Sequence, residues 1–163
     1  MNKKLELNLV HKYPSIFKEY GGDETKTCLH WGFECADGWY YLLNRACKNI
    51  KEVCDLFNIE FTAEQVKEKF GGLHFYYSIK GNKQYIINKI ERYFSKYFYK
   101  YKLGNQFNFL RNVRQRVYST PAETISCIIR KAEEESYKTC EICGMVGKLY
   151  GGGWLSVRCE KHK

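Results

Sequence analysis

Proline is nearly missing from this chain: Pro14 and Pro121 are the only two in 163 residues. That scarcity excludes Pro-rich linkers and stiff extended spacers. Long apolar runs are missing too. No stretch approaches the roughly 18 residues a membrane-spanning helix requires, so no membrane partner is expected. The opening "MNKKLELNLVHKYP" carries lysines but no apolar core behind them, which argues against a secretion signal. There is no low-complexity tract and no internal repeat. With 44% hydrophobic residues the chain can build a core. Its length suits one domain, or one domain with a small appendage.

Several catalytic signatures are also wanting. No H-E-x-x-H is present, and none of the four histidines supplies the H-x-E of a zinc deaminase. The Gly71-Gly72 pair in "KEKFGGLHF", with Lys67 and Lys69 nearby, lacks P-loop spacing and its Lys-Ser/Thr end. An ordinary hairpin with exposed lysines is the plainer reading.

What is plentiful is cysteine, eight in all. Without a secretion signal a reducing compartment is expected, where cysteines serve as metal ligands or small core residues rather than disulfides. Cys140, Cys143, Cys159 and His162 form C-x2-C-x15-C-x2-H. Zinc takes four tetrahedral ligands from thiolate and imidazole, and a two-residue gap lets both members of a pair face one ion. Gly144 suits the left-handed bend after Cys143. Lys148–Tyr150 and Trp154–Val157 flank Gly151-Gly152-Gly153, a hairpin pattern that would return the second pair to the first. Four protein ligands leave no open position for water, so a structural ion is expected. A redox C-x-x-C would lack thioredoxin-type context and leave Cys159 and His162 unexplained.

The periodicities predict an α+β fold: three or four helices on a small antiparallel sheet, with a C-terminal treble-clef-like or ribbon zinc finger. Residues 3–13 read as a short helix. Asp37 is the expected N-cap of a helix over 38–57, whose buried stripe runs Leu43, Cys47, Ile50, Cys54, Phe57. Residues 61–70 fit either a helix started by a Thr62–Gln65 capping box or a strand. The alternation of Leu73, Phe75, Tyr77 and Ile79 favours a hairpin turning at Gly71-Gly72. Thr120-Pro121-Ala122-Glu123 opens a helix to about 136, with Ile125, Ile128, Ile129 and Ala132 inward. Residues 1–136 are thus expected to form the core domain, and 137–163 the finger packed on the last helix.

The net charge of +9 is regional. Residues 81–118 hold nine cations against the single acid Glu91. A helix over 83–102 would carry Ile86, Ile90, Tyr93, Phe94, Tyr97 and Tyr101 on one side and Lys89, Arg92, Lys96 and Lys100 beside them. With Arg111, Arg114 and Arg116 these make the candidate anion-binding surface, for nucleic acid or a nucleotide. A solvated charged face is the bland alternative. A second candidate is "HWGFECADGW", where His30, Trp31, Glu34, Asp37 and Trp39 could line a pocket for a planar ligand. The bland alternative has Asp37 capping a helix and both tryptophans in the core. Cys28 and Cys35 with His30 make a weak second metal-site pattern.

"KYPSIF" at 12–17, "HWGFECADGWYYLL" at 30–43, "QVKEKFGGLHFYYSI" at 65–79, and "KAEEESYKTCEICG" running into "GGWLSVRCEKH" together resemble small phage- and prophage-encoded proteins with a C-terminal CxxC…CxxH finger. The resemblance covers about half the chain and departs most over 81–118. It implies a gene product acting in a bacterial cytoplasm and names no activity. The finger order also resembles the treble clef shared by HNH nucleases, which carry further histidines that this tail lacks. The expectation is therefore a non-enzymatic accessory protein binding an anionic partner in host takeover or counter-defence. An inhibitor docking on a host protein is the alternative. An enzyme acting on a nucleotide or nucleic acid, through His30, Glu34, Asp37 or His74, comes third.

Overall fold

The structure, a computed structural model, describes residues 1–81 and 120–163. The predicted helix over 83–102 and all seven candidate anion-binding residues lie outside the described residues.

Helix α1 spans Lys3–Lys12, with the Asn2 side chain accepting from Leu5 N at 3.0 Å as its cap. Helix α2 spans Tyr40–Phe57 and ends on Asn58 in the left-handed region. It buries Leu42, Leu43, Ala46, Cys47 and Ile50, with Cys54 and Phe57 half-buried at the end of the stripe. Strands β1 (Ile59–Lys69) and β2 (Gly72–Gly81) form an antiparallel hairpin. Helix α3, Pro121–Ser136, begins with the full capping box of Thr120 and Glu123 and has Pro at its start. A second small hairpin joins β3 (Lys148–Tyr150) to β4 (Ser156–Arg158). Among the described residues the architecture is α+β, with two two-stranded antiparallel sheets. Among the described residues no helix is long and apolar enough to cross a membrane.

Helices α2 and α3 pack on each other and on the hairpin face. That face presents Phe61, Ala63 and Val66 from β1, and Leu73 and Phe75 from β2, to a core closed by Leu9, Phe17, Trp39 and Ile125. Glu64 is the extra residue of a bulge that shifts the register between Ala63 and Gln65. The segment at Glu34 runs alongside β1: Glu34 N donates to Val66 O at 2.9 Å, and Glu68 N to Glu34 O at 2.8 Å.

Residues 61–69 are strand, as the hairpin reading favoured, because their apolar side chains complete the core that α2 and α3 leave open. Two local expectations need correction. The hairpin turns one residue earlier than expected: Lys69 pairs with Gly72, so Phe70 (φ 54°) and Gly71 (φ 80°) are the turn. Both central residues at positive φ make the tight mirror-image turn that suits hairpin twist. Gly72 is a strand residue whose missing side chain admits the Tyr137 ring, 2.4 Å from where a Cβ would stand. Finally, Asp37 does not cap α2. Its carboxylate instead accepts from Asn2 N and Asn2 Nδ2, both at 2.6 Å, tying the start of α1 to the short 3₁₀ turn Asp37–Trp39.

Candidate metal centre

The chain from α3 into the tail is shaped by its own backbone. Thr139 Oγ1 donates to Glu135 O at 2.9 Å as the helix ends. Cys140 N then donates to Met145 O at 2.7 Å and Gly144 N to Cys140 O at 2.8 Å, closing a tight knuckle with Gly144 at φ +77°. Hairpin β3–β4 returns the chain, and Glu141 N donates to Val157 O at 3.1 Å, seating β4 on the knuckle. Arg158 and Glu141 add a half-buried ion pair at 2.8 Å. His162 N donates to Cys159 O at 3.0 Å, so the second pair also sits in one turn.

These turns bring one ligand atom from each of Cys140, Cys143, Cys159 and His162 within 4.8 Å of one another. The separations can be tested against an ion. Zn–S near 2.3 Å and Zn–N near 2.0–2.1 Å give a tetrahedron with S···S edges of about 3.8 Å and S···N edges of about 3.6 Å. Cys143 Sγ lies 3.7 Å from Cys159 Sγ. His162 Nδ1 lies 3.6 Å from Cys140 Sγ and 3.3 Å from Cys159 Sγ. The donor set and its spacing fit a single metal ion, and zinc is consistent with both. Burial works to raise the Cys140 thiol, yet the backbone N–H groups of Cys143, Cys159 and Ile142, with His162, outweigh it and bring it down to about 6. Such a thiol is poised as thiolate, the form a metal binds. Cys140 and Cys159 are buried, while Cys143 and His162 face outward.

The knuckle is seated on the core by Gly38, which no sequence pattern singles out, and by Trp39, a candidate pocket residue. Gly38 N donates to Glu141 O at 2.7 Å. A Cβ at Gly38 would stand 2.2 Å from Cys140 O and 2.5 Å from Gly144 N. Next to it Trp39 is fully buried, and its indole Nε1 donates to Thr139 O at 2.9 Å. "DGW" is therefore the seat of the cysteine knuckle. The available signal was a glycine at a helix start, where no turn of positive φ calls for one.

No protein-family model, curated protein or solved structure matches the chain.

The remaining candidates of the His30–Trp39 stretch have the following surroundings. Trp31 is 71% exposed, with its ring edge-on to His30. His30 Nδ1 is 2.6 Å from Gly22 O. Glu34 Oε2 accepts from Gln65 Nε2 at 2.9 Å, on the flank of β1. Asp37 is engaged by Asn2, whose backbone N–H holds its carboxyl below the usual range. Cys28 is exposed and Cys35 buried. Among the described residues the Cys140–His162 group is the one cluster of three or more ligand residues. At the β1–β2 turn, Gly71 N donates to Glu68 Oε1 at 2.6 Å, so that amide is committed rather than open to a phosphate.

One buried carboxylate escaped the sequence reading. Glu6, 4% exposed on α1, accepts from Phe33 N at 3.1 Å, from Lys3 Nζ at 3.2 Å and from the Tyr20 hydroxyl. Gly32, at φ +83° and ψ −151°, leaves room for it. With all its partners in the protein, Glu6 reads as a structural pin for the Cys28–Trp31 turn.

Proposed function

We propose that Cys140, Cys143, Cys159 and His162 hold one structural zinc ion in a treble-clef-like finger. The chain then works as a non-enzymatic, phage- or prophage-encoded accessory protein in a bacterial cytoplasm, binding an anionic partner, nucleic acid or nucleotide-like, in host takeover or counter-defence. The observation that carries the zinc assignment is the match of the ligand separations to the edges of a zinc tetrahedron. Four protein ligands fill that tetrahedron, so the ion's work is to fold a tail too short to build a core of its own. The anion-binding assignment is supported by the charge map: nine of the chain's 27 cations fall within residues 81–118, against one acid. Aromatic residues interleave with them, as in grooves that track single strands.

Two measurements test this. Native mass spectrometry of the purified chain should count one zinc per chain, and a chain that folds fully without metal overturns the structural role. A labelled single-stranded oligonucleotide should bind with an affinity that falls steeply with salt, and the salt slope should flatten when Lys96→Glu and Arg114→Glu are introduced together. Binding that ignores both salt and the charge reversal overturns the anionic reading.

A further inference from the structure

We propose that the β1–β2 turn and the β3–β4 loop together form a docking surface for a second protein, one whose apolar contact residues are bordered by carboxylates. Four large apolar side chains are presented there: Trp154 is 80% exposed, Phe70 66%, Leu149 47% and Leu155 38%. They belong to two hairpins that touch. A Cβ at Gly71 would stand 2.4 Å from Leu149 Cδ1 and 3.5 Å from the Leu155 carbonyl carbon, so the first turn abuts the second loop. Contiguous exposed apolar surface of this kind marks interfaces, whereas single exposed apolar residues are ordinary.

Phe70 supplies an independent observation. It holds φ 54°, the left-handed region that Asn or Gly occupies without strain and a bulky residue does not. Its side chain is exposed, so nothing in the core offsets that strain. The position of the turn follows from Tyr137 filling the space at Gly72, and what the fold leaves unused is the outward aromatic ring.

The chemistry of the partner follows from the rim. Lys69 Nζ lies 5.2 Å from the Phe70 ring centroid, and Lys148 precedes Leu149. Residues 137–163 contain five cations and two acids, and both acids are ion-paired, Glu141 with Arg158 and Glu160 with Lys163. Even with a zinc–trithiolate centre contributing −1, the finger stays cationic. In a symmetric contact a second copy of this chain would bring the same cationic finger to the interface. Nucleic acid would match the charge but has little use for Leu149 and Leu155, because bases stack on flat rings. An acidic-rimmed apolar protein surface satisfies both features.

The test uses the full-length, zinc-loaded chain and a displayed random-peptide library. Selected peptides should combine Asp or Glu with aromatic or aliphatic residues. Their binding should weaken about tenfold or more in Trp154→Ser and in Phe70→Asn. Phe70→Asn is the decisive variant: Asn suits the turn, so its thermal midpoint should stay equal or rise while binding is lost. The Lys96→Glu/Arg114→Glu variant should bind the peptides within about twofold of the parent chain, which separates this surface from the basic segment. The proposal is overturned if enriched peptides lack acidic residues, or if Trp154→Ser and Phe70→Asn both bind unchanged. It is equally overturned if single-stranded oligonucleotide displaces the peptides, or if sedimentation shows self-association that Trp154→Ser abolishes.

Discussion

Replacing Gly38 by alanine should uncouple the metal knuckle from the core. Gly38 is not among the glycines at positive φ, so alanine can adopt its backbone conformation and the whole cost comes from contact. The new methyl would stand 2.2 Å from Cys140 O, 2.5 Å from Gly144 N and 2.6 Å from Glu141 O, all backbone atoms of one tight turn. Ordinary contact begins near 3.4 Å, so the knuckle must withdraw by about 1.2 Å. A shift of that size takes the 2.7 Å bond from Gly38 N to Glu141 O beyond hydrogen-bonding length and strains the Trp39 bond to Thr139 O. Overpacking costs about 1–3 kcal/mol, and each buried donor left without a partner about 1–3 more. A total of about 3–5 kcal/mol would lower the thermal midpoint of a chain this size by roughly 6–20 °C. The assay is thermal unfolding of the zinc-loaded chain, paired with the rate of zinc transfer to a chelating dye, which should rise. Gly151→Ala is the control, since its Cβ would meet only the mobile end of Leu155 at 3.3 Å. If Gly38→Ala melts within about 2 °C of the parent and releases zinc no faster, the seating described here is wrong.

Cysteine alkylation followed by mass spectrometry should separate the eight thiols by environment. Cys28 and Cys127 are exposed and should label first in the zinc-loaded chain. Cys35, pushed up to about 12 by burial, and the fully buried Cys47 should stay unlabelled until the chain unfolds. Chelation should expose Cys140, Cys143 and Cys159 to the reagent, and labelling of these three without chelation would contradict a closed site. Gly32→Ala should destabilise the chain by about 2–4 kcal/mol in urea titration, because its φ and ψ suit glycine alone and its Cβ would stand 2.5 Å from Glu6 Oε1. Asp37 bears on pH. The Asn2 backbone N–H holds the Asp37 pKa below its ordinary 3.8, so its contribution is fully present above that value and lost as pH falls further, through the depressed folded-state pKa. Asp37→Asn should accordingly show a shallower loss of stability as pH falls below about 4, measured by urea midpoints, and an unchanged slope would remove Asp37 from acid unfolding.

What the sequence determined by itself is what short-range physics sets. The start of α3 was legible because Thr120, Pro121 and Glu123 satisfy one another within a single turn. The candidate metal ligands were legible because two-residue gaps constrain geometry whatever surrounds them, and β2 was legible from the alternation of Leu73, Phe75, Tyr77 and Ile79. The tertiary structure decided whatever depends on segments far apart in the chain. Asp37 could cap a helix or clasp Asn2, and only the arrival of α1 settles which. Gly38 and Trp39 look like a helix entrance until a knuckle about 100 residues later comes to rest on them. The turn lands on Phe70-Gly71 rather than Gly71-Gly72 because Tyr137, from beyond α3, claims the space at Gly72. A local pattern records what a residue is able to do, and close packing against distant backbone selects which of those options is used.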